Sequence, residues 1–193
     1  MELILASTSP YRRSLLGRLG LPFRCVAPLV EEEAIKPTLG SINPRELAEH
    51  LALAKAESVA RLESEATVIG GDQLVAIDGM VLGKPGSIAA AVEQLRRLSG
   101  RTHELITALV VIQHGKVYAH TDVTSLTLRP LSLEQTRRYV EADQPLNCSG
   151  SYKLESRGIT LFERIDSADH SAITGIPLIA LTTILGTIGF PVP

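Results

Sequence analysis

Apolar and polar positions follow two different periods along the chain, and each period predicts one kind of element. Apolar runs and alternating stretches bounded by turn residues predict strands over residues 3–6, 23–27, 66–77, 80–85, 102–112, 116–128 and 159–165. Apolar residues at helical spacing predict helices over residues 10–19, 44–62, 88–98, 132–141 and 177–188. The sequence therefore predicts the α/β class.

Turn and capping residues support this division of the chain. Asp78-Gly79 and His114-Gly115 each separate two predicted strands and favour antiparallel hairpins. Asn43 followed by Pro44, and Ser87 before the next helix, are typical helix starts. We expect a mixed sheet that contains antiparallel hairpins, flanked by helices, in a single domain over residues 1–193.

Composition and charge restrict the function classes. Apolar residues make up 45% of the chain and the formal net charge is −2, so a buried core is expected and a general nucleic-acid binder is disfavoured. Cys25 and Cys148 have no metal-site spacing and are expected to be buried thiols of a reducing, cytoplasmic protein. The chain begins Met-Glu, which does not resemble a secretory signal.

The last 22 residues, 172–193, carry no charge. That length could span a bilayer, but glycines and prolines interrupt it and no basic residue flanks its end. We expect a buried terminal helix and no membrane partner.

Several polar residues in the first half of the chain are candidates for chemistry. Ser7 and Ser9 precede Pro10, and Arg12 and Arg13 follow it, so a strand end, a helix start and two cations favour an anion site. A capped surface helix with two solvated arginines explains the same residues.

Three acids, Glu31, Glu32 and Glu33, either relieve their repulsion by binding a cation or are simply solvated. Lys55 has mostly small or apolar neighbours on its helix, and it either reaches an anionic site or extends to solvent along the surface.

Asp72 interrupts an apolar strand directly after two glycines. An acid at the open end of a strand is a candidate metal ligand or general base, and glycine in a strand often marks a close ligand. The alternative is a bulge with an exposed aspartate.

The hairpin at Asp78-Gly79 is expected to bring Lys84 to the same end as Asp72. Residues 79–84 are not a Walker loop, because the spacing is short and Pro85 replaces the Ser or Thr.

Together these segments resemble the Maf family of nucleotide pyrophosphatases over essentially the whole chain. The matches are Leu-Ala-Ser-x-Ser-Pro-x-Arg-Arg at residues 5–13, Val-x-Glu ending at Glu32, the lysine context of Lys55, Gly-x-Asp ending at Asp72, Gly-Lys-Pro at residues 83–85, the segment 150–158, and Gly-Ile-Pro-Leu at residues 175–178. Glu31 departs from the family pattern, which usually has Asp there.

The resemblance implies two lobes around a cleft, as in Maf and inosine triphosphatase-like folds, and hydrolysis of a nucleoside triphosphate between its α and β phosphates. It implies Mg²⁺ or Mn²⁺ as cofactor, and a small-molecule nucleotide as substrate. A homodimer is compatible with the sequence, which does not demonstrate one. The implied roles are proton acceptor for Asp72, metal support for Glu32 and Asp72, catalysis or phosphate binding for Lys55 and Lys84, and substrate binding for Ser7, Arg12 and Arg13.

Three positions resemble the family branch that hydrolyses 7-methyl-GTP: Tyr11, Gln73 and Glu155. Guanine methylated at N7 is cationic, so a carboxylate can accept from its N1–H and amine and offset its charge. An aromatic ring can stack on the same cation. The expected activity is therefore conversion of 7-methyl-GTP to 7-methyl-GMP and diphosphate. The alternatives are the family branch that acts on dTTP and UTP, and a nucleotide-binding regulator of cell division or septum formation.

Overall fold

A computed structural model describes residues 1–30 and 42–192 of the chain. Its strands form one mixed sheet in the order β2-β1-β3-β5-β6-β7, with β4 paired to β3. The strands are β1 (Leu3–Ala6), β2 (Arg24–Val26), β3 (Thr67–Ile77), β4 (Met80–Leu82), β5 (Thr102–Gln113), β6 (Lys116–Leu128) and β7 (Phe162–Asp166). The helices are α1 (Pro10–Gly17), α2 (Pro44–Ala60), α3 (Ile88–Leu98), α4 (Leu133–Asp143), α5 (His170–Thr174) and α6 (Leu178–Thr187), with 3₁₀ turns at Ser149–Ser151 and Arg157–Leu161.

The described chain divides into two compact units. The first unit contains Met1–Gln73, Thr107–Asp122 and the chain from Asp169 onward. Its sheet contains parallel pairs of β1 with β2 and of β1 with β3. One face of this sheet packs against α1 and α6, with Leu5, Leu16, Leu181 and Leu185 in a shared apolar core.

The second unit contains Leu74–Ile106 and Val123–Ala168. Here β3 pairs with β4 and β6 pairs with β7, both antiparallel. Its buried core includes an aromatic cluster of His103, Tyr152 and Phe162, in which the Tyr152 and Phe162 rings meet edge to face at 5.0 Å. The single-domain prediction is not tested by this division and stays a prediction.

Most predicted helix starts are confirmed by capping hydrogen bonds. The Asn43 side chain accepts a hydrogen bond from the Glu46 backbone amide, and the Glu46 side chain accepts one from the Asn43 backbone amide. Ser87 caps α3, and Ser132 forms a second reciprocal box at the start of α4. The local sequence therefore sets these helix boundaries.

The terminal apolar segment is also as predicted in its main part: Leu178, Leu181 and Leu185 of α6 are buried. Within the residues that the structure describes, we find no helix with the length and apolar character needed to cross a membrane. The short helix α5 was missed, because five residues give too little pattern to recognise.

Two sequence expectations are wrong in detail. The prediction placed Asp72 at the open end of an interrupted strand, but β3 continues from Thr67 to Ile77 with Asp72 near its middle. The cysteines are free, as expected, but Cys25 is exposed and Cys148 is half-buried, so neither is fully buried. An exposed thiol on the short edge strand β2 contributes nothing to the core.

Candidate active site

A buried ion pair joins α2 to β3 in the first unit. The Lys55 Nζ of α2 donates to Asp72 Oδ1 of β3 at 2.6 Å. Both side chains are nearly inaccessible, with exposed fractions of 10% and 7%. An ammonium at this distance stabilises the carboxylate form of Asp72. The pair excludes the exposed-bulge alternative for Asp72 and the alternative in which Lys55 extends to solvent.

The two glycines before Asp72 allow neighbouring elements to approach β3. A Cβ at Gly70 would lie 2.6 Å from the Ala52 carbonyl oxygen and 2.7 Å from the Ala56 Cβ, both on α2. A Cβ at Gly71 would lie 3.2 Å from the Ala108 carbonyl oxygen. From the sequence, the two glycines suggested that a ligand approaches the strand closely. In the described residues, α2 and the neighbouring strand β5 make this close approach instead. The approach of α2 is what brings Lys55 within hydrogen-bond distance of Asp72.

Arg12 of α1 is held against the turn that follows α5. Its Nε donates to the Gly175 carbonyl oxygen at 3.0 Å. Gly175 has a positive φ of 122°, and a Cβ there would lie 3.2 Å from the Arg12 Cγ. Glycine at this position therefore permits both the turn and the passage of the arginine side chain.

Gln73 uses its amide group inside the first unit. Its Nε2 lies 2.9 Å from Thr107 Oγ1, 2.8 Å from the Ala172 carbonyl oxygen and 3.1 Å from the Ile173 carbonyl oxygen. Thr107 is buried, and its hydroxyl donates to the same Ala172 oxygen at 3.0 Å. Gln73 thus ties β3 to the end of α5, and Thr107 is a buried polar partner that the sequence did not reveal.

The remaining predicted residues of the first unit lie at the start of α1. Ser7 is buried, and its Oγ accepts from the Ser9 amide at 3.1 Å. Ser9 is the N-cap of α1, with its side chain accepting from the Arg12 amide. Tyr11 and Arg13 are exposed. The helix start that was predicted as a possible anion site is therefore formed, with its capping serine in place.

Lys84 and Glu155 belong to the second unit, and both are exposed. Burial raises the pKa of the half-buried Cys148 thiol, the Glu155 carboxylate raises it further, and the Lys153 and Lys84 ammonium groups lower it. Both charges therefore act on the same thiol, in opposite directions.

The acidic candidates for metal binding are only partly described. Glu32, with Glu31 and Glu33, lies outside the described residues. Within residues 1–30 and 42–192, no three His, Cys, Asp or Glu side chains are grouped to hold a metal ion. Mg²⁺ usually binds through one or two carboxylates together with substrate phosphates, so the Asp72 carboxylate is a suitable donor without a protein cage.

The first unit also has a cavity of about 550 Å³ between α2 and strands β5 and β6. Its polar lining includes Arg45, Glu49, His50 and His120. Thr121 donates to Glu49 Oε1 at 2.7 Å, and this bond lowers the pKa of the Glu49 carboxyl. Of the described residues predicted to bind substrate, none lines this cavity.

Asp169 is a second buried acid that the sequence did not single out. Its Oδ1 accepts from the Ser171 amide at 2.9 Å, and its Oδ2 accepts from the Ile179 amide at 2.8 Å. The carboxylate therefore caps α5 and reaches the first turn of α6. Two helix starts close together in the sequence are the only signal that could have indicated this role.

Comparison with known proteins agrees with the resemblance. A curated protein of Bdellovibrio bacteriovorus named 7-methyl-GTP pyrophosphatase is 47% identical over 184 residues, covering 95% of each chain. Proteins of the same name from Xanthomonas campestris (strain 8004) and Aromatoleum aromaticum are 46% and 41% identical, each covering 100% of this chain and 98% of its own.

A solved structure shares the fold at low sequence identity. The Staphylococcus aureus Ham1 protein superposes with a TM-score of 0.54 at 14% identity, covering 97% of this chain and 100% of its own. This likeness confirms the α/β fold class expected from the sequence. The model of the Maf-like protein family matches residues 2–188, and with relatives this similar over their full length, the chain belongs to the Maf-like protein family.

Proposed function

We propose that this protein is a nucleoside triphosphate pyrophosphatase that hydrolyses 7-methyl-GTP to 7-methyl-GMP and diphosphate. Water adds across the bond between the α phosphorus and the bridging oxygen, diphosphate leaves, and one proton is released. The observation that carries the proposal is the buried Lys55–Asp72 pair, at 2.6 Å, in a chain 40–47% identical to proteins named for this activity. Removal of a modified nucleotide from a cytoplasmic pool is the proposed purpose.

Asp72 is the proposed proton acceptor for the attacking water. Its carboxyl group accepts a hydrogen bond from Lys55, and a carboxylate can accept a proton and bind a divalent cation. Lys55 fixes the orientation of that carboxylate. Because Lys55 and Asp72 are on different elements, the alignment depends on how α2 packs on β3.

The cationic and hydroxyl groups are proposed to bind the phosphates. Arg12 and Arg13 belong to the first turn of α1 and Ser7 precedes its N-cap, where backbone N–H groups also favour an anion. Arg12 is oriented by the Gly175 carbonyl oxygen. Lys84 is proposed to bind the phosphate chain as a point charge.

A divalent cation, Mg²⁺ or Mn²⁺, is the proposed cofactor. Asp72 would hold it together with Glu32 and the phosphate oxygens. When bound, such an ion neutralises phosphate charge and orients water.

Selection of the base is assigned to Tyr11, Gln73 and Glu155. Glu155 is exposed and so accessible to the N1–H and amine of a cationic guanine, and Tyr11 offers a partly exposed ring for stacking. Gln73 has its amide nitrogen engaged by Thr107 and two carbonyl oxygens. We therefore assign Gln73 an indirect effect on selectivity, through the position of the turn after α5.

The test is a diphosphate-release assay across 7-methyl-GTP, GTP, dTTP and UTP, with Mg²⁺ or Mn²⁺ and with EDTA. We expect the highest kcat/KM for 7-methyl-GTP and no turnover in EDTA. Comparable turnover of dTTP and UTP would support the pyrimidine branch instead. No diphosphate from any nucleotide would remove the enzyme hypothesis and favour a binding regulator.

A further inference from the structure

In the second unit, the Gln94 side chain of α3 connects two segments that carry proposed substrate-binding residues. Its Nε2 donates to the Gly83 carbonyl oxygen at 2.9 Å, directly before Lys84. Its Oε1 accepts from Ser151 Oγ at 2.6 Å, at the start of the segment that leads to Glu155. One amide therefore contacts both segments at once.

The backbone around Lys84 is held on both sides. Besides the bond from Gln94 to Gly83, the Gly86 amide donates to the Leu146 carbonyl oxygen at 3.0 Å. Lys84 itself is exposed. A long, exposed side chain gains direction only from its backbone, so these two bonds determine where the ammonium group can reach.

The segment that leads to Glu155 is also fixed at both ends. Ser151 is fully buried and has a φ of 60°, a conformation that is uncommon for a residue with a side chain. Its hydroxyl bond to Gln94 helps to hold this conformation, which sets the direction of the chain toward Glu155.

Lys153 holds the far side of the turn. Its amide donates to the Tyr139 hydroxyl oxygen at 2.9 Å, and its carbonyl oxygen accepts from the Ser156 and Gly158 amides at 3.1 and 3.0 Å. A Cβ at Gly158 would lie only 2.2 Å from that carbonyl oxygen. Glu155 is thus presented on a closed turn whose entry is determined by Ser151.

We propose that Gln94 is a positioning residue that fixes the Lys84 ammonium relative to the Glu155 carboxylate, so that one nucleotide is bound by its phosphates and its base together. The inference rests on the proposed function for the identity of that nucleotide. The amide donates to Gly83 through its nitrogen and accepts from Ser151 through its oxygen. Glutamate at this position keeps the bond from Ser151 alone, and methionine keeps neither bond.

The kinetic test compares Gln94→Met and Gln94→Glu with wild type on 7-methyl-GTP and GTP. We expect Gln94→Met to lower kcat/KM for 7-methyl-GTP about tenfold, mainly through KM, and to reduce the preference over GTP. Gln94→Glu should lie between. The control is Glu93→Gln, at the position directly before Gln94 on α3. It alters only an exposed ion pair with Arg96, so it should match wild type.

A second measurement does not depend on hydrolysis. In a Cys25→Ser background, the pH dependence of iodoacetamide alkylation reports the pKa of the Cys148 thiol. Lys84→Met should raise this pKa and Glu155→Gln should lower it, because these groups act on the thiol in those directions. When Gln94→Met is also present, we expect each of these two shifts of the Cys148 pKa to fall to less than half of its size without it.

The two measurements separate failure of this inference from failure of the proposed function. If wild type does not hydrolyse 7-methyl-GTP, the proposed function fails, while the thiol shifts still test positioning. Gln94 is not a positioning residue if Gln94→Met leaves both shifts of the Cys148 pKa and the nucleotide preference unchanged. The same conclusion holds if the loss of activity in Gln94→Met is matched by a lowered melting temperature.

Discussion

At the residue scale, the proposed active site depends on one interaction between side chains far apart in the sequence. Lys55 and Asp72 are 17 residues apart, and both are almost fully buried. Two charges removed from water gain little net stability, since desolvation offsets their attraction. A buried pair of this kind in a family of phosphate-anhydride hydrolases is therefore better explained by function than by stability.

Lys55→Met tests this pair through stability. Methionine has a similar length but leaves the Asp72 carboxylate without its ammonium, and breaking a buried pair costs about 3–5 kcal/mol. We expect the free energy of unfolding in urea to fall by about that amount. Lys55→Met combined with Asp72→Asn removes both members of this ion pair, so it should recover most of the loss. Equal losses in the single and double variants would contradict a direct pair.

At the element scale, the packing of α2 on β3 brings the pair together. Gly70 lies against the Ala52 carbonyl oxygen and the Ala56 Cβ, at distances that leave no room for a methyl group. The contact is to backbone, which cannot move aside without moving the helix. The position of Lys55 therefore depends on the space that Gly70 leaves beside α2.

Gly70→Ala should displace α2. We expect the free energy of unfolding to fall by about 1–3 kcal/mol or slightly more, and kcat to fall because Lys55 is misaligned. Unfolding and steady-state kinetics measure the two effects. Gly17→Ala in α1 is the matched control, since a Cβ there meets nothing within 4 Å. Alanine also favours the helix, so the control should be neutral or slightly stabilised. A Gly70→Ala variant as stable and active as that control would show that the contact is unimportant.

The elements that the sequence predicted are those determined by neighbouring residues. The turn at Asp78-Gly79 has positive φ values of 53° and 73°, as the hairpin signal requires, and the Asn43 box starts α2. By contrast, Asp72 was expected at an interruption because aspartate disfavours strands locally. The strand continues because Lys55 compensates the buried charge, and that contact is not visible in the local pattern.

The candidate site was predicted mostly by resemblance, and its supporting residues were not predicted at all. Thr107, Gln94 and Asp169 are polar residues in unremarkable surroundings of the sequence. Thr107 and Gln94 each contact a residue far along the chain, Ala172 for Thr107 and Ser151 for Gln94. Asp169 contacts the nearer amides of Ser171 and Ile179. Local periodicity carries no information about such partners, so they become visible only in the folded chain.

At the scale of the whole molecule, the pH dependence of stability includes a contribution from His103. Desolvation lowers the pKa of this buried histidine to about 4. An unfolded histidine has a pKa near 6.5, so below that pH the unfolded chain binds a proton that the folded chain does not. Stability is therefore lost as pH falls from about 6.5 to about 4, at about 1.4 kcal/mol per pH unit.

His103→Gln should flatten this part of the profile. Urea unfolding between pH 7.5 and 4.5 measures it, as the difference in slope between wild type and variant. His114→Asn removes an exposed histidine at a turn with a φ of 47°, where asparagine is well tolerated, and should keep the wild-type slope. Parallel profiles for wild type and His103→Gln would contradict the assigned cause.

Hydrolysis of 7-methyl-GTP with Asp72 as proton acceptor is best measured by product analysis of 7-methyl-GTP incubated with wild type and with Asp72→Asn. Nucleotide binding is measured in parallel. We predict equal amounts of 7-methyl-GMP and diphosphate from wild type. In Asp72→Asn the rate should fall about 10²- to 10⁴-fold, the range for loss of a general base, while nucleotide still binds. An unchanged rate in Asp72→Asn, or release of 7-methyl-GDP and phosphate by wild type, would contradict the account.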